Sequence, residues 1–255
     1  MVDELVSIIM PSYNTGKYID KTINSVLKQS YKKWELIIID DNSDDNTDEV
    51  VKKYLSDSRI IYEKNNVNRG AAYSRNKAIK KACGEWIAFL DSDDLWDSNK
   101  LEVQIEYMKK NHYSFTGTAS RNISENGKDL NIINTSPKHV SEKKMILYCW
   151  PSCLTVMYHV PEVGEIQINN LKKNNDYAMW LKVIKKTDFY YLDKILASYR
   201  VRNDSISHDK LYKLIYSHYL LWRVGENKNV FFSVLLTCIN MMFGFYKKMK
   251  YVKRR

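Results

Sequence analysis

The sequence predicts an α/β fold, in which helices flank a mainly parallel central sheet and a helical appendage follows at the C-terminus. In the N-terminal part, short apolar runs typical of buried strands alternate with amphipathic stretches of helical period. This alternation is typical of right-handed βαβ units and of a parallel sheet. Apolar residues make up 44% of the 255 residues, which is enough for a large core and argues against global disorder.

Each element of the N-terminal part follows from a local pattern. Residues 6–10 form a compact apolar strand, which Pro11 is expected to stop. Apolar side chains then recur at helical spacing as far as Gln29, and the same change of period repeats along the chain. The predicted strands are 6–10, 36–39, 59–62 and 86–90, and the predicted helices are 18–29, 48–55, 71–82 and 100–111.

The patterns are weaker in the second half of the chain. Residues 114–136 are polar and are predicted to form an antiparallel part of the fold, with a hairpin turn at Asn126-Gly127. Residues 151–157 are predicted to be a strand and residues 158–174 a loop. A helix with an apolar inner face is predicted to start at Asp176.

Acidic residues follow two of the predicted strands. Asp40 and Asp41 come after the second strand, and Asp91, Asp93 and Asp94 come after the fourth. Because the carboxyl ends of parallel strands meet at one edge of the sheet, the two clusters are expected to face one crevice. Neighbouring carboxylates repel each other, and a divalent cation, a hydrogen-bonding ligand or both would relieve the repulsion. The alternative is an acidic turn that caps the next helix.

The crevice lacks the signatures of common nucleotide cofactors. No GxGxxG pattern follows the first strand, and no P-loop lysine pattern is present. Hard oxygen ligands suit Mg²⁺ or Mn²⁺, which are commonly bound by one or two carboxylates together with substrate phosphates. The carboxylates therefore fit a nucleotide diphosphate bridged by a metal ion.

Four motifs occur in order along this part of the chain: VSIIMPSYN at 6–14, IIIDDNS at 37–43, RN at 75–76 and FLDSDD at 89–94. Together they closely resemble family 2 glycosyltransferases. The resemblance implies a GT-A fold with a Rossmann-like sheet, and an inverting, metal-dependent sugar transferase. It is close over the N-terminal part and looser as far as Ser207.

The resemblance implies a donor site. Asp41 matches the aspartate that hydrogen-bonds uracil, which favours a UDP-sugar. Asp91 matches the first acid of the DxD motif, near the ribose and the metal, and Asp93 matches the acid that coordinates Mn²⁺ or Mg²⁺. Further residues expected to bind the nucleotide are Pro11, Tyr13, Asn14, Arg75 and Ser92. Three alternatives stay open: Arg75 as a surface charge, Asp40 as a turn residue and Asp94 as a helix cap.

Asp176 is the candidate catalytic base. It matches the family aspartate that deprotonates the acceptor hydroxyl, whereas Asn175 departs from the glutamate that usually precedes it. The alternative for Asp176 is an ordinary helix N-cap. Trp180, in the same motif, is a candidate contact for the diphosphate or the acceptor.

A later segment, 199–207, resembles a family segment in which a histidine often stands at the position of Arg202. Arg202 cannot be a metal ligand but is a candidate contact for the diphosphate or the acceptor. His208 is a weak substitute for the histidine. No QxxRW motif follows, so transfer of a single sugar is expected rather than processive synthesis.

The C-terminal segment, residues 209–255, is expected to be separate from the transferase domain, residues 1–208. Residues 230–246 carry no charge, and Lys247, Lys248, Lys250 and further basic residues follow. We expect an amphipathic helix on the anionic face of the cytoplasmic membrane, although a helix packed on the catalytic domain is the alternative. This placement suits a polyprenyl-diphosphate-linked saccharide acceptor in surface polysaccharide (O-antigen or capsule) assembly.

The composition limits which partners, cysteine states and targeting signals are expected. The net charge of +10 is concentrated at the C-terminus, which indicates an anionic surface rather than nucleic acid as the partner. The four cysteines have no metal-like spacing and are expected to be reduced and buried, and no signal peptide is expected. Two rival functions stay open: a nucleotidyltransferase that makes a nucleotide-sugar, and a non-catalytic nucleotide-sugar-binding module.

Overall fold

The computed structural model describes residues 2–202 and 211–254. Most described residues belong to one mixed sheet and the helices on its two faces. The strands are β1 Val2–Ser12, β2 Trp34–Asp40, β3 Ile60–Lys64, β4 Gly84–Phe89, β5 Leu95–Trp96, β6 Phe115–Ile123, β7 Asp129–Asn134, β8 His139–Val140, β9 Met157–His159, β10 Phe189–Arg200 and β11 Val252–Arg254. The helices are α1 Ile19–Leu27, α2 Thr47–Lys52, α3 Ala71–Lys81, α4 Lys100–Asn111, α5 Glu142–Leu147, α6 Val160–Val163, α7 Asn175–Val183, α8 Leu211–Leu220 and α9 Val230–Tyr251.

The order of strands along the sheet is β11-β7-β6-β9-β4-β1-β2-β3, with β10 beside β6. The half formed by β4, β1, β2 and β3 is parallel, as the alternating sequence pattern predicts. Successive side chains of these strands enter different cores: Ile37 and Ile39 face α3, whereas Ile38 faces α1 and α2. Because helices cover both faces of this half of the sheet, its strands are continuous apolar runs in the sequence.

The other half of the sheet is mostly antiparallel. The β6–β7 hairpin turns at Gly127, whose φ of 92° is readily adopted only by glycine, and it confirms the predicted turn. β9 lies antiparallel to both β4 and β6, and so joins the two halves. β10 runs parallel to β6 and carries the chain back to the carboxyl edge of β4.

Three local predictions are wrong. Pro11 does not stop the first strand, because the parallel ladder continues through the pairs Pro11–Ile39 and Ser12–Asp40. Residues 151–157 do not form a strand: Cys153–Thr155 is a 3₁₀ turn, and β9 starts at Met157. Residues 158–174 are not all loop, since α6 lies within them. Each error lies where a proline or a short element left little periodic signal.

The C-terminal segment is attached to the sheet at its end. After α8 a π-helical turn, Leu221–Gly225, leads to α9, and β11 then pairs antiparallel with β7. The backbone N–H of Thr135 donates to the carbonyl of Tyr251 at 2.8 Å. α9 therefore packs against α5 and α8, and its C-terminal end is attached to the edge of the sheet.

α9 has a polar buried face and an apolar exposed face. Its buried residues are Ser233, Thr237 and Asn240. The amide of Asn240 donates to the carbonyls of Ile146 and Leu147, at 3.0 and 2.8 Å. α9 is long and apolar enough to cross a membrane, but these contacts hold it against the domain. Its exposed large apolar residues are Val230, Phe231, Phe232, Val234, Leu235, Met242, Phe245, Tyr246 and Met249.

Candidate active site

The site lies at the carboxyl edge of β1, β2 and β4, where the acidic clusters were predicted to meet. Asp40, at the end of β2, is fully buried and accepts hydrogen bonds from the backbone of Ser43 at 3.1 Å and from Tyr62 at 3.0 Å. Its side chain holds the turn after β2 and matches the alternative of a turn residue.

Asp41 organises the loop that precedes α3. Its carboxylate accepts from the side chain of Asn65 at 2.9 Å and from the backbone N–H groups of Arg69 and Gly70, at 2.9 and 2.6 Å. Gly70, with φ of 89°, is the N-cap residue of α3. Asp41 is therefore a fixed hydrogen-bond acceptor at the base of the crevice.

The loop after β1 presents Tyr13 to solvent. Tyr13 is 48% exposed. Asn14 adopts a left-handed conformation, and its side chain and backbone bond the loop after β2 through Asp44 and Ser43, at 3.1 and 2.9 Å. Asn14 thus fixes the loop, while the Tyr13 ring stays free to stack on a planar ligand. Pro11 is the penultimate residue of β1, where it pairs with Ile39, and it lies two residues before Tyr13.

Arg75 connects the two candidate catalytic segments. It is 7% exposed on α3, which removes the alternative of a surface charge. Its guanidinium donates one hydrogen bond to Asp91 after β4 and another to Asn175 at the start of α7. Asn175 thus fills the place of the usual glutamate with a neutral acceptor, directly before Asp176.

Asp93 and Asp94 lie in a desolvated, negatively charged environment. Burial, together with the charge of Asp91, raises the pKa of Asp93. Burial and the charges of Asp93 and Asp91 raise the pKa of Asp94 well above its usual range. Asp94 accepts from the backbone N–H of Arg200 at 2.7 Å, whereas the N-cap of α4 is Asn99. Asp94 therefore ties β10 to the site, and the alternative of a helix cap is wrong.

Arg202 pairs with the predicted metal ligand. Its guanidinium donates to Asp93 at 3.1 Å and lies 4.9 Å from the centre of the Tyr18 ring. This position beside Asp93 leaves the contact of Arg202 with the diphosphate or the acceptor a prediction. His208 lies outside the described residues.

The carboxylates suit a metal ion that is shared with substrate. No cluster of three or more His, Cys, Asp or Glu side chains that could hold a metal occurs within residues 2–202 and 211–254. Asp91 and Asp93 have partly exposed side chains, and each has a guanidinium neighbour. Two carboxylates, with water and a diphosphate supplying the other oxygens, meet the needs of Mg²⁺ or Mn²⁺. The residues therefore fit the predicted ion, but not as a closed protein site.

Asp91 and Asp176 line one cavity of about 390 Å³. Asp176 is the second residue of α7, whose N-cap is Asn174, and its carboxylate accepts from the backbone N–H of Tyr177 at 2.8 Å. Asp176 is therefore not the N-cap residue that the alternative proposed. A substrate in this cavity would lie between the DxD segment and the candidate base.

Two other predicted site residues are buried away from this cavity. Trp180 has no exposed surface and packs edge-on to Phe89, with ring centres 5.1 Å apart. The prediction that it contacts diphosphate or acceptor is wrong, because the ring is part of the core beneath the site. Ser92 is buried, and its hydroxyl accepts from Thr15 at 3.0 Å. It joins the DxD segment to the chain after β1.

The C-terminal segment supplies part of the cavity wall, which the sequence patterns did not predict. Leu214 and His218 from α8 and Lys247 from α9 line it beside Tyr148 and Cys149. The sequence predicts Lys247 to be part of the basic C-terminal tail, but its ammonium donates to the carbonyl of Cys149 at 2.8 Å. The helical position of Lys247, seven residues after Asn240, could have indicated the buried face.

The thiols are less uniform than expected. All four cysteines are free, but Cys83 and Cys238 are exposed, whereas Cys153 is buried. The expectation of buried thiols is therefore wrong for two of the four.

A mixed sheet flanked by helices, with an Asp-Ser-Asp segment at its parallel carboxyl edge and a further carboxylate, Asp176, lining the same cavity as Asp91, is typical of GT-A glycosyltransferases. The chain belongs to glycosyl transferase family 2, whose model matches residues 7–156. This membership favours sugar transfer over the nucleotidyl transfer that the sequence left open.

Curated relatives cover most of the chain. The chain is 40% identical over 208 residues to the putative teichuronic acid biosynthesis glycosyltransferase TuaG of Bacillus subtilis, covering 81% of this chain and 82% of the relative. It is 41% identical over 218 residues to WfgD of Escherichia coli, a UDP-Glc:alpha-D-GlcNAc-diphosphoundecaprenol beta-1,3-glucosyltransferase, covering 84% of each chain.

Solved structures confirm the fold. S. aureus TarS 1-349 in complex with UDP-GlcNAc matches with a TM-score of 0.71 and 22% identity, over 96% of this chain and 76% of that one. The mannosyltransferase PcManGT from Pyrobaculum calidifontis, in complex with GDP-Man and Mn²⁺, matches with a TM-score of 0.64 and 15% identity, over 92% of this chain and 68% of that one.

Proposed function

We propose that this glycosyltransferase transfers a single sugar from a UDP-sugar to a hydroxyl of a polyprenyl-diphosphate-linked saccharide, with inversion at the anomeric carbon. The observation that carries the proposal is the shared cavity of Asp91 and Asp176, whose segments Arg75 connects. The relative WfgD transfers glucose from UDP-Glc to alpha-D-GlcNAc-diphosphoundecaprenol, which supports the proposed classes of donor and acceptor. Assembly of a bacterial surface polysaccharide is the process that such an acceptor serves.

The donor nucleotide binds along the carboxyl edge of β1, β2 and β4. Asp41 accepts a hydrogen bond from the uracil ring, using lone pairs that its three present donors leave open. The exposed Tyr13 ring packs on the base, and Asn14 keeps that loop in place. Asp91 lies between the ribose and the diphosphate. This arrangement places the anomeric carbon toward the cavity.

Asp91 and Asp93 are the residues that would hold Mn²⁺ or Mg²⁺ at the diphosphate. The bound ion would neutralise the negative charge that grows on the departing nucleoside diphosphate. Arg202 leaves Asp93 when the diphosphate arrives, and its guanidinium then bonds the phosphate oxygens.

Asp176 removes the proton from the acceptor hydroxyl. Asp176 lines the same cavity as Asp91. In the proposed complex the acceptor hydroxyl, with Asp176 as its base, attacks the face of the sugar opposite the leaving group. The proton passes to the Asp176 carboxylate as the new glycosidic bond forms and the bond to the diphosphate breaks. A single displacement of this kind inverts the anomeric centre without a covalent enzyme intermediate.

The apolar faces of α8 and α9 attach the enzyme to the cytoplasmic face of the membrane. Exposed aromatic and aliphatic side chains cover both helices. Lys248, Lys250, Lys253 and Arg254 follow on the same segment and suit an anionic lipid surface. A spanning orientation would break the bonds of Asn240 and the β11–β7 pairing, so α9 lies on the membrane rather than across it.

Transfer by purified protein tests the proposal. UDP-, GDP- and dTDP-sugars are offered with and without Mn²⁺, together with GlcNAc-diphosphate carrying a short alkyl chain. We expect metal-dependent release of UDP from one UDP-sugar, and a product whose anomeric configuration, read by NMR, is opposite to that of the donor. A retained configuration, or release of GDP or dTDP alone, would overturn the proposed mechanism or donor.

A further inference from the structure

Lys247 is placed inside the cavity rather than on the membrane side of α9. Its ammonium donates to the carbonyl of Cys149 at 2.8 Å and lies 5.5 Å from the centre of the Tyr148 ring. It is the single lysine or arginine among the described residues that line this cavity. Its neighbour Lys248 is exposed, so the two adjacent lysines have different surroundings.

The charge of Lys247 is only partly compensated. No carboxylate in residues 2–202 and 211–254 lies within ion-pair distance of its ammonium. Burial lowers the pKa of Lys247, and the charge of Asp176 opposes this effect. A partly buried cation with no carboxylate within ion-pair distance is unfavourable, and an anionic ligand would stabilise it.

A second polar group on the cavity wall lacks a partner. The hydroxyl of Ser136 is buried, with the residue 8% exposed, and it makes no hydrogen bond within the described part of the chain. Ser136 lines the same cavity as Lys247. A buried hydroxyl without a partner costs free energy, so a ligand oxygen that accepts from it would be favoured.

We propose that Lys247 and Ser136 bind a phosphate of the acceptor, so that the C-terminal segment builds the acceptor diphosphate site. The inference rests on the proposed function and assigns residues to its acceptor. Leu214 lines the cavity and is also 41% exposed on α8, beside Leu211 and Ile215. The acceptor sugar then lies at Asp176, the diphosphate at Lys247, and the lipid leaves over α8 toward the membrane.

Direct binding tests this assignment. Full-length protein is saturated with UDP to fill the donor site, and GlcNAc-diphosphate with a short alkyl chain is titrated by calorimetry. We expect Lys247→Met to weaken binding about 30-fold, the size expected for a hydrogen bond to a charged group. Ser136→Ala should weaken it about fivefold, as for a neutral hydrogen bond. Lys247→Arg and the control Lys110→Met, at an exposed lysine on α4, should bind within about twofold of the wild type.

A neutral ligand separates binding from a structural role. Octyl α-GlcNAc lacks phosphate, and its affinity should be the same for the wild type and Lys247→Met. Inorganic diphosphate should bind more weakly than the glycosyl diphosphate, because it makes no contact with the Asp176 end of the cavity. Three results would overturn the assignment. In the first, Lys247→Met loses as much affinity for octyl α-GlcNAc as for the glycosyl diphosphate. In the second, the wild type does not bind the glycosyl diphosphate, and in the third it binds inorganic diphosphate equally well. UDP-sugar hydrolysis, measured separately, shows whether the proposed function fails instead.

Discussion

Arg75 and Asn175 are bonded side chain to side chain across the gap between α3 and α7, and the same guanidinium also bonds Asp91. The buried guanidinium of Arg75 therefore connects Asp91, a carboxylate of the proposed nucleotide-sugar site, to Asn175, the residue before the candidate base. The arrangement couples the position of Asp176 to that of the DxD segment, although the two are far apart in sequence. Asn175, at the position where the resemblance leads us to expect glutamate, accepts this hydrogen bond as a neutral side chain.

Replacing Arg75 by methionine should lower kcat about 100-fold, because a small displacement of a catalytic group costs about this much. Arg75→Lys should recover little of this loss, since a lysine cannot bond two separate acceptors with the same geometry. Steady-state transfer assays measure the effect, with the exposed Lys80→Met on the same helix as control. Wild-type kcat in Arg75→Met would contradict a positioning role.

Asp176→Asn should lower kcat about 1,000-fold, within the range usual for loss of a general base. The affinity for UDP should not change, because the proposed nucleotide site lies at the ends of β1, β2 and β4 and does not include Asp176. Asp129→Asn, an isosteric change on the exposed strand β7, is the control. Unchanged turnover in Asp176→Asn would show that Asp176 takes no part in the mechanism. Loss of turnover with intact UDP binding would exclude the alternative that the protein is a non-catalytic nucleotide-sugar-binding module.

Arg202 is expected to compete with a metal ion for Asp93, because its guanidinium bonds this carboxylate. Without nucleotide, Arg202→Met should bind Mn²⁺ about tenfold more tightly than the wild type, because one positive charge beside the carboxylate is removed. Asp93→Ala should bind Mn²⁺ weakly whether or not Arg202 is present. Mn²⁺ titrations followed by electron paramagnetic resonance measure both effects. Equal Mn²⁺ affinity in Arg202→Met and the wild type would show that the ion does not bind at Asp93.

Lys100 should make stability depend on pH. It is fully buried beside Trp96 and Gln104, and burial lowers its pKa to about 7. Between this value and the ordinary lysine pKa, the unfolded chain holds one more proton than the folded one, so unfolding becomes less favourable as pH rises. Lys100→Met removes this contribution. The variant should be most stable relative to the wild type near pH 7. Above pH 7 the wild type gains stability and the variant does not, so the ratio of their unfolding equilibrium constants should change about tenfold per pH unit in favour of the wild type.

Urea unfolding of both proteins from pH 7 to 9.5 measures this difference. Lys110→Met, an exposed change on the same helix, should show no such trend. A constant difference between Lys100→Met and wild type across this range would mean that Lys100 keeps its proton in the folded protein.

Phe231→Asp together with Phe245→Asp should weaken binding to anionic vesicles at least tenfold, because both aromatic side chains are exposed on the apolar face of α9. Thermal stability and UDP binding should not change, since the buried face of α9 is untouched. Leu55→Asp, at an exposed apolar position outside the C-terminal segment, is the control for added charge. Co-sedimentation measures the effect, and undiminished sedimentation of the double variant would locate the membrane contact elsewhere.

The sequence determined the parallel half of the sheet and the acidic edge. Strands such as 36–39 are apolar throughout because both their faces are buried, and the change of period to helical spacing marks each crossover. The residues after β2 and β4 converge because parallel strands end at one edge, so Asp41, Asp91 and Asp93 could be grouped without coordinates. Local chemistry was enough for these assignments.

The tertiary structure determined which distant segments come into contact in the core and around the cavity. Trp180 and Lys247 show the difference most clearly: an aromatic residue expected to contact substrate lies in the core, and a lysine expected in a basic tail lines the cavity. Helical period gives the face of a helix on which a residue lies, but it does not say which surface that face meets. Burial and ion pairing of such residues depend on contacts between α3, α7, α9 and the sheet, and these contacts form only when the whole chain has folded.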